Sequence, residues 1–353
     1  MDTSQPCFAD MNSTQLIAVN LTLQQEFLPL VRVLSPHVPF SLHILGGLLN
    51  SSARTEKLNC VDPSKIYAWS SMPLNNIDAS SALFSIVIFS SVSHQFRFFC
   101  SAESASGPPT EAEEAHVVSM VQSVLQLAHT EAPKYDSVLK SVGPSEAPTE
   151  RHPDEKAMIV IGAVHEKWQP CLRTLSAAQN PQVRYVASPS GSPADTLGHI
   201  SDEWIVSRIQ ESDIDAVRGT SHIPRSKAYL LSRSAYSVCI RRRHEEGEDE
   251  VRKPIAWALM HADGSVGTLY VNTEYRGKGL AQIVMKGLVD KLNFRKGNPS
   301  LEDDDVGGGA LGWNWADTDI WNNEGRRFFD SLTGWRLGWI CHWTYMNVGS
   351  DDA

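Results

Sequence analysis

Apolar and polar positions divide the chain into two patterned stretches with a polar segment between them. Residues 40–49 and 86–99 are rich in residues that favour strands, and residues 113–129 repeat apolar positions at helical spacing. Residues 143–156 contain three Pro and no large apolar residue, so we interpret them as a linker. The first stretch is therefore predicted to be mixed α/β.

The pattern after the linker begins with an isolated strand and helix. Residues 158–164 are continuously apolar and predict a strand, and residues 166–178 predict a helix. Residues 188–193 (SPSGSP) then interrupt the pattern.

From Trp204 onward the predicted order is β-α-β-β-β-α-β-α-β. The strands are predicted at 204–208, 236–242, 255–261, 265–271, 311–317 and 337–346, and the helices after a cap at Ser212 or Asp213, at 279–293 and at 322–332. Asp263-Gly264 is a strong hairpin turn, so part of the sheet should be antiparallel. The helix at 279–293 should be a crossover between parallel strands, and residues 298–309 should form a flexible loop.

Length, charge and cysteine usage narrow the class of protein. At about 150 residues per domain, 353 residues predict two domains. The net charge of −10 argues against nucleic acid as the main ligand, because that ligand needs clustered cations. The six Cys include no CxxC pair, so they indicate reduced thiols rather than a zinc site or a disulfide framework, and we expect no metal.

The chain shows no targeting or membrane segment that we can identify. Residues 1–20 lack both the charged-then-apolar order of a secretory signal and the Lys and Arg of a mitochondrial presequence. The most apolar run, residues 82–92, is too short to cross a bilayer. We therefore expect a soluble, cytoplasmic protein without a membrane partner.

The stretch that predicts chemistry runs from Ser265 to Ala281. A strand leads through Arg276-Gly277-Lys278-Gly279 directly into an amphipathic helix. The first turn of a helix has unpaired N–H groups, glycines let an anion approach the backbone, and the two cations add charge. These features predict an anion site that suits a diphosphate. The alternative is a glycine-containing turn with two solvated cations.

The same residues carry a resemblance to a known family. Residues 276–281 (RGKGLA) match the [Arg/Gln]-x-x-Gly-x-[Gly/Ala] motif, and the surrounding strand and helix resemble those of the GNAT superfamily of acyl-CoA-dependent N-acyltransferases. Residues 255–280 and Asn322-Asn323-Glu324 resemble the glycine N-acyltransferase-like branch in particular. The superfamily likeness covers residues 200–350. A fainter likeness to the branch covers residues 29–199, where that branch has a degenerate first half.

The resemblance implies a CoA site in the C-terminal half. Its implied residues are Leu269 and Val271 for the pantetheine, Arg276, Gly277, Lys278, Gly279, Leu280 and Ala281 for the diphosphate, and Asn323 for the pantetheine or thiol end. Leu269 and Val271 also suit the core of a sheet. Asn323 has the alternative role of a helix N-cap, for which Asn322 is a rival.

The catalytic residues of the resembled family are not matched. Glycine N-acyltransferases have a general-base Glu eleven residues before the motif Arg, where this chain has Ser265. Many superfamily members have a Tyr near the end of the last helix, where this chain has Phe328-Phe329-Asp330. The candidates that remain for proton transfer are Ser265, Asp317 and Asp319. The two Asp are also typical of solvated acids that precede a helix.

Other side chains have both functional and structural interpretations. Six of the ten Trp lie between residues 313 and 343, where they either line a pocket or pack the last strands. His261 and His342 are expected to be structural. Arg241-Arg242-Arg243 is expected to pair with the acidic loop at 244–250.

The sequence thus predicts an α/β fold of tandem GNAT-like halves, with a mixed sheet and flanking helices. The expected units are a degenerate N-terminal domain (1–142), a linker with a strand and a helix (143–198) and an acyltransferase domain (199–350). The expected activity is transfer of a small acyl group, such as acetyl, from CoA to an amino acid-like amine. The alternatives are an acyl-CoA sensor without turnover, or transfer to a polyamine or a protein Lys.

Overall fold

The fold is described from a computed structural model. It describes residues 15–52, 66–78, 82–91, 93–131, 134–135, 157–189, 201–221, 223, 225–243, 253–293 and 309–349. The predicted linker at 143–156, the acidic loop at 244–250 and all but the last residue of the loop at 298–309 lie outside these residues. No helix within the described ranges is both long and apolar enough to span a membrane.

The described residues form twelve strands and eight α-helices. The strands are β1 (Ile17–Val19), β2 (Ile66–Ser70), β3 (Ser85–Ser90), β4 (Gln95–Cys100), β5 (Ala157–His165), β6 (Ala178–Ala187), β7 (Trp204–Ser207), β8 (Ser237–Arg242), β9 (Pro254–Met260), β10 (Val266–Val271), β11 (Asn314–Asp319) and β12 (Trp335–Val348). The helices are α1 (Gln24–Leu34), α2 (Leu42–Ser52), α3 (Glu111–Thr130), α4 (Gln169–Leu172), α5 (Ile214–Thr220), α6 (Lys227–Arg233), α7 (Leu280–Asn293) and α8 (Asn323–Ser331).

The strands form two sheets that adjoin at β10 and β11. The larger sheet has the order β1-β2-β3-β4-β5-β12-β6-β11, and the smaller has the order β10-β9-β8-β7. Strands β4 and β5 pair in parallel, with Phe96 opposite Ile161, and the other paired strands of both sheets are antiparallel.

The larger sheet combines strands from both halves of the chain, where β1–β6 are called the N-terminal half and β7–β12 the C-terminal half. The last strand, β12, lies between β5 and β6, whereas β6 lies between β12 and β11. Strands of the two halves therefore alternate in this part of the sheet. Strands β5 and β6 come from the N-terminal half, and β12 and β11 come from the C-terminal half. The halves consequently share one continuous sheet.

Helices cover both faces of each sheet and divide the core into four clusters. Helices α1 and α2 pack on one face of the larger sheet and α3 on the other. Helices α7 and α8 pack on one face of the smaller sheet, together with residues of β6 and β11, while α5 and α6 pack on the opposite face. This arrangement gives β10 two distinct faces, one toward α7 and one toward α6.

The prediction of a strand at residues 40–49 is wrong, because most of these residues belong to helix α2. The helix is enclosed on all sides, with Leu42, Leu45 and Leu48 all at most 1% exposed. A helix buried all round lacks polar positions at helical spacing and cannot be told from a buried strand by pattern. Its Gly46 permits this packing, since a Cβ there would overlap the carbonyl of Asp263 and the ring of Trp315.

Residues 86–99 contain strands, as expected, and these pair as the hairpin β3–β4. Two further expectations are corrected by the structure. Of the helix predicted over 166–178, only Gln169–Leu172 is α-helical. Strands β10 and β11, which flank the crossover helix α7, do not pair with each other, because β11 pairs with β6 instead. The predicted linker range, 143–198, contains all of β5 and β6, two interior strands of the larger sheet. The domain boundaries stay a prediction.

Candidate functional site

The loop before α7 exposes backbone that an anion can approach. Residues 276–279 are exposed, and Gly277 and Gly279 have φ angles of +79° and +75° in the left-handed region that favours glycine. A Cβ at either position would meet nothing within 4 Å. The N–H of Ile283 donates to the Gly279 carbonyl at 3.2 Å. The N–H groups of Leu280 and Ala281 come before this bond, so helix geometry gives them no acceptor within α7.

The two cations of this loop have defined partners. Arg276 Nη1 lies 3.2 Å from Glu324 Oε2, and its Nε donates to the Val271 carbonyl at 3.3 Å. Lys278 Nζ lies 5.2 Å from the ring centroid of Tyr275. The Arg276–Glu324 pair ties the loop after β10 to the start of α8. Both side chains of this ion pair are well exposed, so the pair contributes no more than about 1 kcal/mol. An anionic ligand could therefore displace Glu324 from Arg276 at little cost.

The other residues implied by the resemblance lie on β10 and at the start of α8, the helix that follows β11. Leu269 and Val271 are partly buried and pack on the α7 side of β10, which agrees with their expected place in the core. Asn322 caps α8 by accepting a hydrogen bond from the Gly325 N–H at 2.9 Å. Asn323 is the first residue of α8 and is exposed, so the cap role belongs to Asn322.

Strand β10 contains a β-bulge at its centre. Gly267 lies opposite Leu259 and Tyr270 opposite Trp257, so β10 has one residue more than β9 between these pairs. Thr268 has a φ of +53°, which is strained for a threonine. A bulge takes backbone groups out of the ladder and makes them available to a ligand. No pattern in the sequence predicted this bulge.

Ser265 is buried beside a carboxylate. The residue is 7% exposed, and its hydroxyl donates to Asp263 Oδ1 at 2.6 Å. Asp263 in turn pairs with Arg97 of β4 at 2.7 Å. Burial would raise the pKa of Asp263, but the charge of Arg97 and the hydrogen bonds from Ser265 outweigh it and hold that pKa well below its usual value. Asp263 is therefore an ionised structural partner of Arg97.

The two other candidate bases also have structural partners. Asp317 receives hydrogen bonds from both Nε and Nη2 of buried Arg184, at 2.7 and 2.6 Å. Asp319 Oδ1 accepts the Trp321 N–H at 2.8 Å. Both carboxylates therefore accept hydrogen bonds within the fold, and their role in proton transfer stays a prediction.

A His–Tyr pair lies against the bulge on the α6 side of β10. Tyr229 of α6 bonds His261 Nδ1 at 2.9 Å, and His261 Nε2 lies 3.5 Å from Thr268 Oγ1. A Cβ at Gly267 would stand 2.6 Å from Nε2, so glycine is what lets the imidazole reach the bulge. The bonded His261 agrees with the structural role expected for it. Its position beside the bulge has no sequence signal, because neither the bulge nor the packing of α6 could be predicted.

The surroundings of His261 keep it neutral. Burial, helped by the charges of Arg225, Arg233 and Arg97 and opposed by Asp263, lowers the pKa of His261 to about 3. The imidazole is therefore uncharged at physiological pH and offers a neutral hydrogen-bonding nitrogen at the bulge.

Other expectations about side chains are settled in part. Trp315 and Trp339 are buried in the core, as the packing interpretation predicts, but Trp321 is 79% exposed. Arg241 pairs with buried Asp213, its Nη1 lying 3.0 Å from Asp213 Oδ1. The acidic loop that was expected to pair with it lies outside the described residues.

In the N-terminal half, hydrogen bonds of a buried carboxylate join the segments that follow β4 and β5. Strands β4 and β5 pair only at Phe96–Ile161 and Arg97–Gly162 and then separate. Beyond that point Glu103 Oε1 accepts hydrogen bonds from the Cys100 N–H at 3.1 Å and from Trp168 Nε1 at 3.0 Å. Glu103 and Trp168 thus join the segments that follow the two strands.

The helix after β4 is also unsuited to an anion. Thr110 caps α3, and Glu113 completes a capping box by accepting the Thr110 N–H at 2.7 Å. Glu111, Glu113 and Glu114 place three carboxylates in its first turn. These groups satisfy the helix end and repel a phosphate.

Comparison with known proteins identifies the fold. No family model matches the chain, and no curated protein matches it. A Drosophila protein solved by X-ray crystallography is 11% identical, with a TM-score of 0.62, and the match covers 95% of this chain and 99% of that one. A tandem GNAT protein from the clavulanic acid biosynthesis pathway is 8% identical, with a TM-score of 0.50, and the match covers 96% of this chain and 99% of that one. The predicted fold class is thereby confirmed: this chain has an α/β fold similar to that of the tandem GNAT protein, with a large mixed sheet and flanking helices.

Proposed function

We propose that the protein transfers a small acyl group, such as acetyl, from CoA to an amine. The observation that carries this proposal is the exposed loop at 276–279, with two left-handed glycines leading into the first turn of a fourteen-residue helix. Such a helix start holds a diphosphate through its backbone N–H groups and its partial positive charge. The similarity to the tandem GNAT fold supports an acyl-CoA as the ligand whose diphosphate binds at this loop.

The C-terminal half is the proposed cofactor site because the two halves differ at the corresponding place. The loop before α7 is open and flanked by Arg276 and Lys278. The corresponding region of the N-terminal half contains Glu103 and Trp168, and α3 begins with three carboxylates. We therefore propose one cofactor per chain and a supporting role for the N-terminal half.

The proposed cofactor contacts follow the motif. Residues 276–281 would hold the diphosphate, the backbone of Leu269 and Val271 would face the pantetheine, and Asn323 would reach the pantetheine from the head of α8. The partly buried positions of Leu269 and Val271 and the exposure of Asn323 are compatible with these roles.

The proposed reaction is direct attack of a neutral amine on the thioester. CoA supplies an activated acyl group; the new C–N bond forms, the C–S bond breaks, and the amine proton ends on the released thiol. The chain's main contribution is to orient the two reactants. Backbone N–H groups released by the bulge at Thr268 are suited to polarise the carbonyl.

A second candidate function is favoured by the hydrogen bonds that already occupy the side chains of Ser265, Asp317 and Asp319. A protein without a free base could bind acyl-CoA as a sensor or scaffold and never turn it over. The enzyme hypothesis survives this observation if the acceptor is a weakly basic amine. An α-amine with a pKa of about 7.8 is roughly 14% neutral at pH 7, against about 0.04% for a Lys amine.

The deciding experiment is turnover of acetyl-CoA. Release of free thiol would be followed across a panel of amino acids, polyamines and Lys peptides, with the mass of each product measured. Thiol release with a defined acylated amine supports the enzyme. Binding of acetyl-CoA without release by any amine supports the sensor, and absence of binding contradicts both.

A further inference from the structure

The turn between β9 and β10 is held by the opposite half of the chain. Arg97 of β4 belongs to the N-terminal half, and its Nη2 donates to Asp263 Oδ2 at 2.7 Å. Asp263 Oδ1 accepts hydrogen bonds from the N–H of Ser265 at 3.0 Å and from its hydroxyl at 2.6 Å. One carboxylate therefore links a strand of the N-terminal half to the residue that precedes β10.

The guanidinium of Arg97 is itself closely surrounded. The residue is 6% exposed, and its Cζ lies 5.0 Å from the ring centroid of Trp343. A Cβ at Gly162 would stand 2.6 Å from Nη1, so glycine makes room for the guanidinium beside β5. Gln95 Oε1 accepts a further hydrogen bond from Nη2 at 3.3 Å. These contacts fix the position from which Arg97 holds Asp263.

The turn also packs closely against α2 and the start of β11. A Cβ at Gly46 of α2 would overlap the Asp263 carbonyl oxygen. Gly264 has a φ of +86°, and a Cβ there would stand 2.8 Å from Asn50 Nδ2 and 2.6 Å from the ring of Trp315. The turn that begins β10 therefore has no room to move toward α2.

The bulge of β10 follows this anchored turn directly. Val266 and Gly267 pair with β9, and the surplus residue comes next. Thr268 has a φ of +53° there, and a residue keeps such a strained conformation only where the surrounding structure over-determines it. The turn fixes one end of β10, and the pairing of Tyr270 with Trp257 fixes the strand beyond the bulge. The extra residue between these two points has to bulge.

We propose that Arg97 is a positioning residue: through Asp263 it keeps β10 in the bulged register that presents the backbone at Thr268 to the acyl carbonyl. This proposal rests on the proposed acyltransferase function and gives the N-terminal half a specific part in it. Without the ion pair the turn could move, and the strain at Thr268 would then relax and misplace the backbone donors. Because the glycine loop lies beyond the other end of β10, cofactor binding should be affected far less than the reaction.

The test measures turnover and binding of acetyl-CoA separately in Arg97→Gln. We expect kcat to fall by about tenfold or more, because loss of a single oxyanion donor commonly costs at least that much. The affinity for CoA, measured by calorimetry, should be unchanged. Arg241→Gln is the matched control, since Arg241 also forms a buried ion pair, with Asp213, but lies on β8 away from the turn. Both variants would be assayed at a temperature at which circular dichroism shows them folded. Equal loss of kcat in the two variants would overturn the proposal.

Two milder variants decide the matter if Arg97→Gln does not fold. Arg97→Lys keeps a positive charge beside Asp263 but loses the planar guanidinium. Gly162→Ala displaces the guanidinium without removing it. Each should lower kcat by a smaller factor than Arg97→Gln and leave the affinity for CoA unchanged. A wild-type kcat in both variants would contradict the proposal.

Hydrogen exchange separates this proposal from the proposed function. The backbone N–H groups of residues 266–271 would be followed without substrate in the wild type, Arg97→Lys and Arg241→Gln. We expect Arg97→Lys to speed exchange in this segment and Arg241→Gln to leave it unchanged, because only Arg97 holds the turn. This readout needs no turnover, so it tests the link between Arg97 and the bulge even if no amine is acylated. Unchanged exchange in Arg97→Lys would overturn the proposal while the cofactor site stands.

Discussion

Arg184 and Asp317 lie directly opposite each other on β6 and β11 and form a bidentate ion pair of 2.6 and 2.7 Å. Arg184 is fully buried, and the pair joins a strand of the N-terminal half to a strand of the C-terminal half. Because β6 lies between β12 and β11, this pair fastens the two halves beside the proposed site. Asp317 therefore has a structural task that the sequence did not indicate.

Asp317→Asn should destabilise the protein strongly. The substitution leaves a buried guanidinium without a counter-charge, which typically costs about 3–5 kcal/mol of unfolding free energy. Urea denaturation measures it. Asp319→Asn is the control and should lose about 1 kcal/mol or less, since the amide oxygen of Asn can still accept the Trp321 N–H. If Asp317→Asn instead kept its stability and changed only the pH dependence of the rate, Asp317 would be the base.

Gly279→Asp should abolish CoA binding, and the wild type should bind one CoA per chain. The new carboxylate would stand in the open space above the loop and repel the diphosphate. Titration calorimetry measures affinity and stoichiometry. Gly107→Asp is matched, because Gly107 also has a positive φ, of +93°, and also faces open space, but lies in the N-terminal half. Equal affinity of the Gly279→Asp variant and the wild type, or two sites per chain, would contradict the proposed cofactor site.

Local patterns predicted local features well. The strand–loop–helix around Gly279, the hairpin turn at Asp263-Gly264 and the helix at 113–129 follow from turn chemistry and apolar spacing, and the structure has all three. Long-range pairing could not be obtained in this way. Nothing in β12 indicates that it inserts between β5 and β6, because the insertion is a property of the whole sheet.

In the candidate site too, the sequence predicted the local features and not the long-range contacts. The glycine loop was visible as a contiguous motif. The pairs Arg184–Asp317 and Arg97–Asp263 each join residues more than one hundred positions apart, so the sequence predicted neither ion pair. The Tyr229–His261 pair at the bulge depends on how α6 packs and was likewise invisible.

Glu103→Gln should flatten the pH dependence of stability. Burial raises the pKa of Glu103 from 4.5 to about 8, so between these values the folded protein holds a proton that the unfolded chain has released. The free energy of unfolding of the wild type should therefore fall as pH rises through this window, by up to about 1.4 kcal/mol per pH unit. Gln keeps an oxygen for the Cys100 and Trp168 donors and does not titrate. Urea denaturation of both proteins at pH 5, 6.5 and 8 gives the difference, and parallel curves would refute the assignment.

The last prediction concerns proton removal at Ser265. From sequence alone, Ser265→Glu would supply the base of the resembled enzymes and shift the rate profile to lower pH. The structure predicts a different result, because Ser265 is buried and its hydroxyl bonds the ionised Asp263. A second carboxylate there would be repelled by the first, so Ser265→Glu should lose stability without gaining rate at low pH. Ser265→Ala should lose only about 1 kcal/mol of unfolding free energy, from one hydrogen bond.

Both variants would be compared with the wild type in pH–rate profiles with an α-amino acid acceptor. For the wild type and Ser265→Ala we expect the rate to rise with pH until the acceptor amine is itself deprotonated. A rate that is already flat at neutral pH in the wild type, and that Ser265→Ala restores to a slope, would show that Ser265 takes part in proton removal after all.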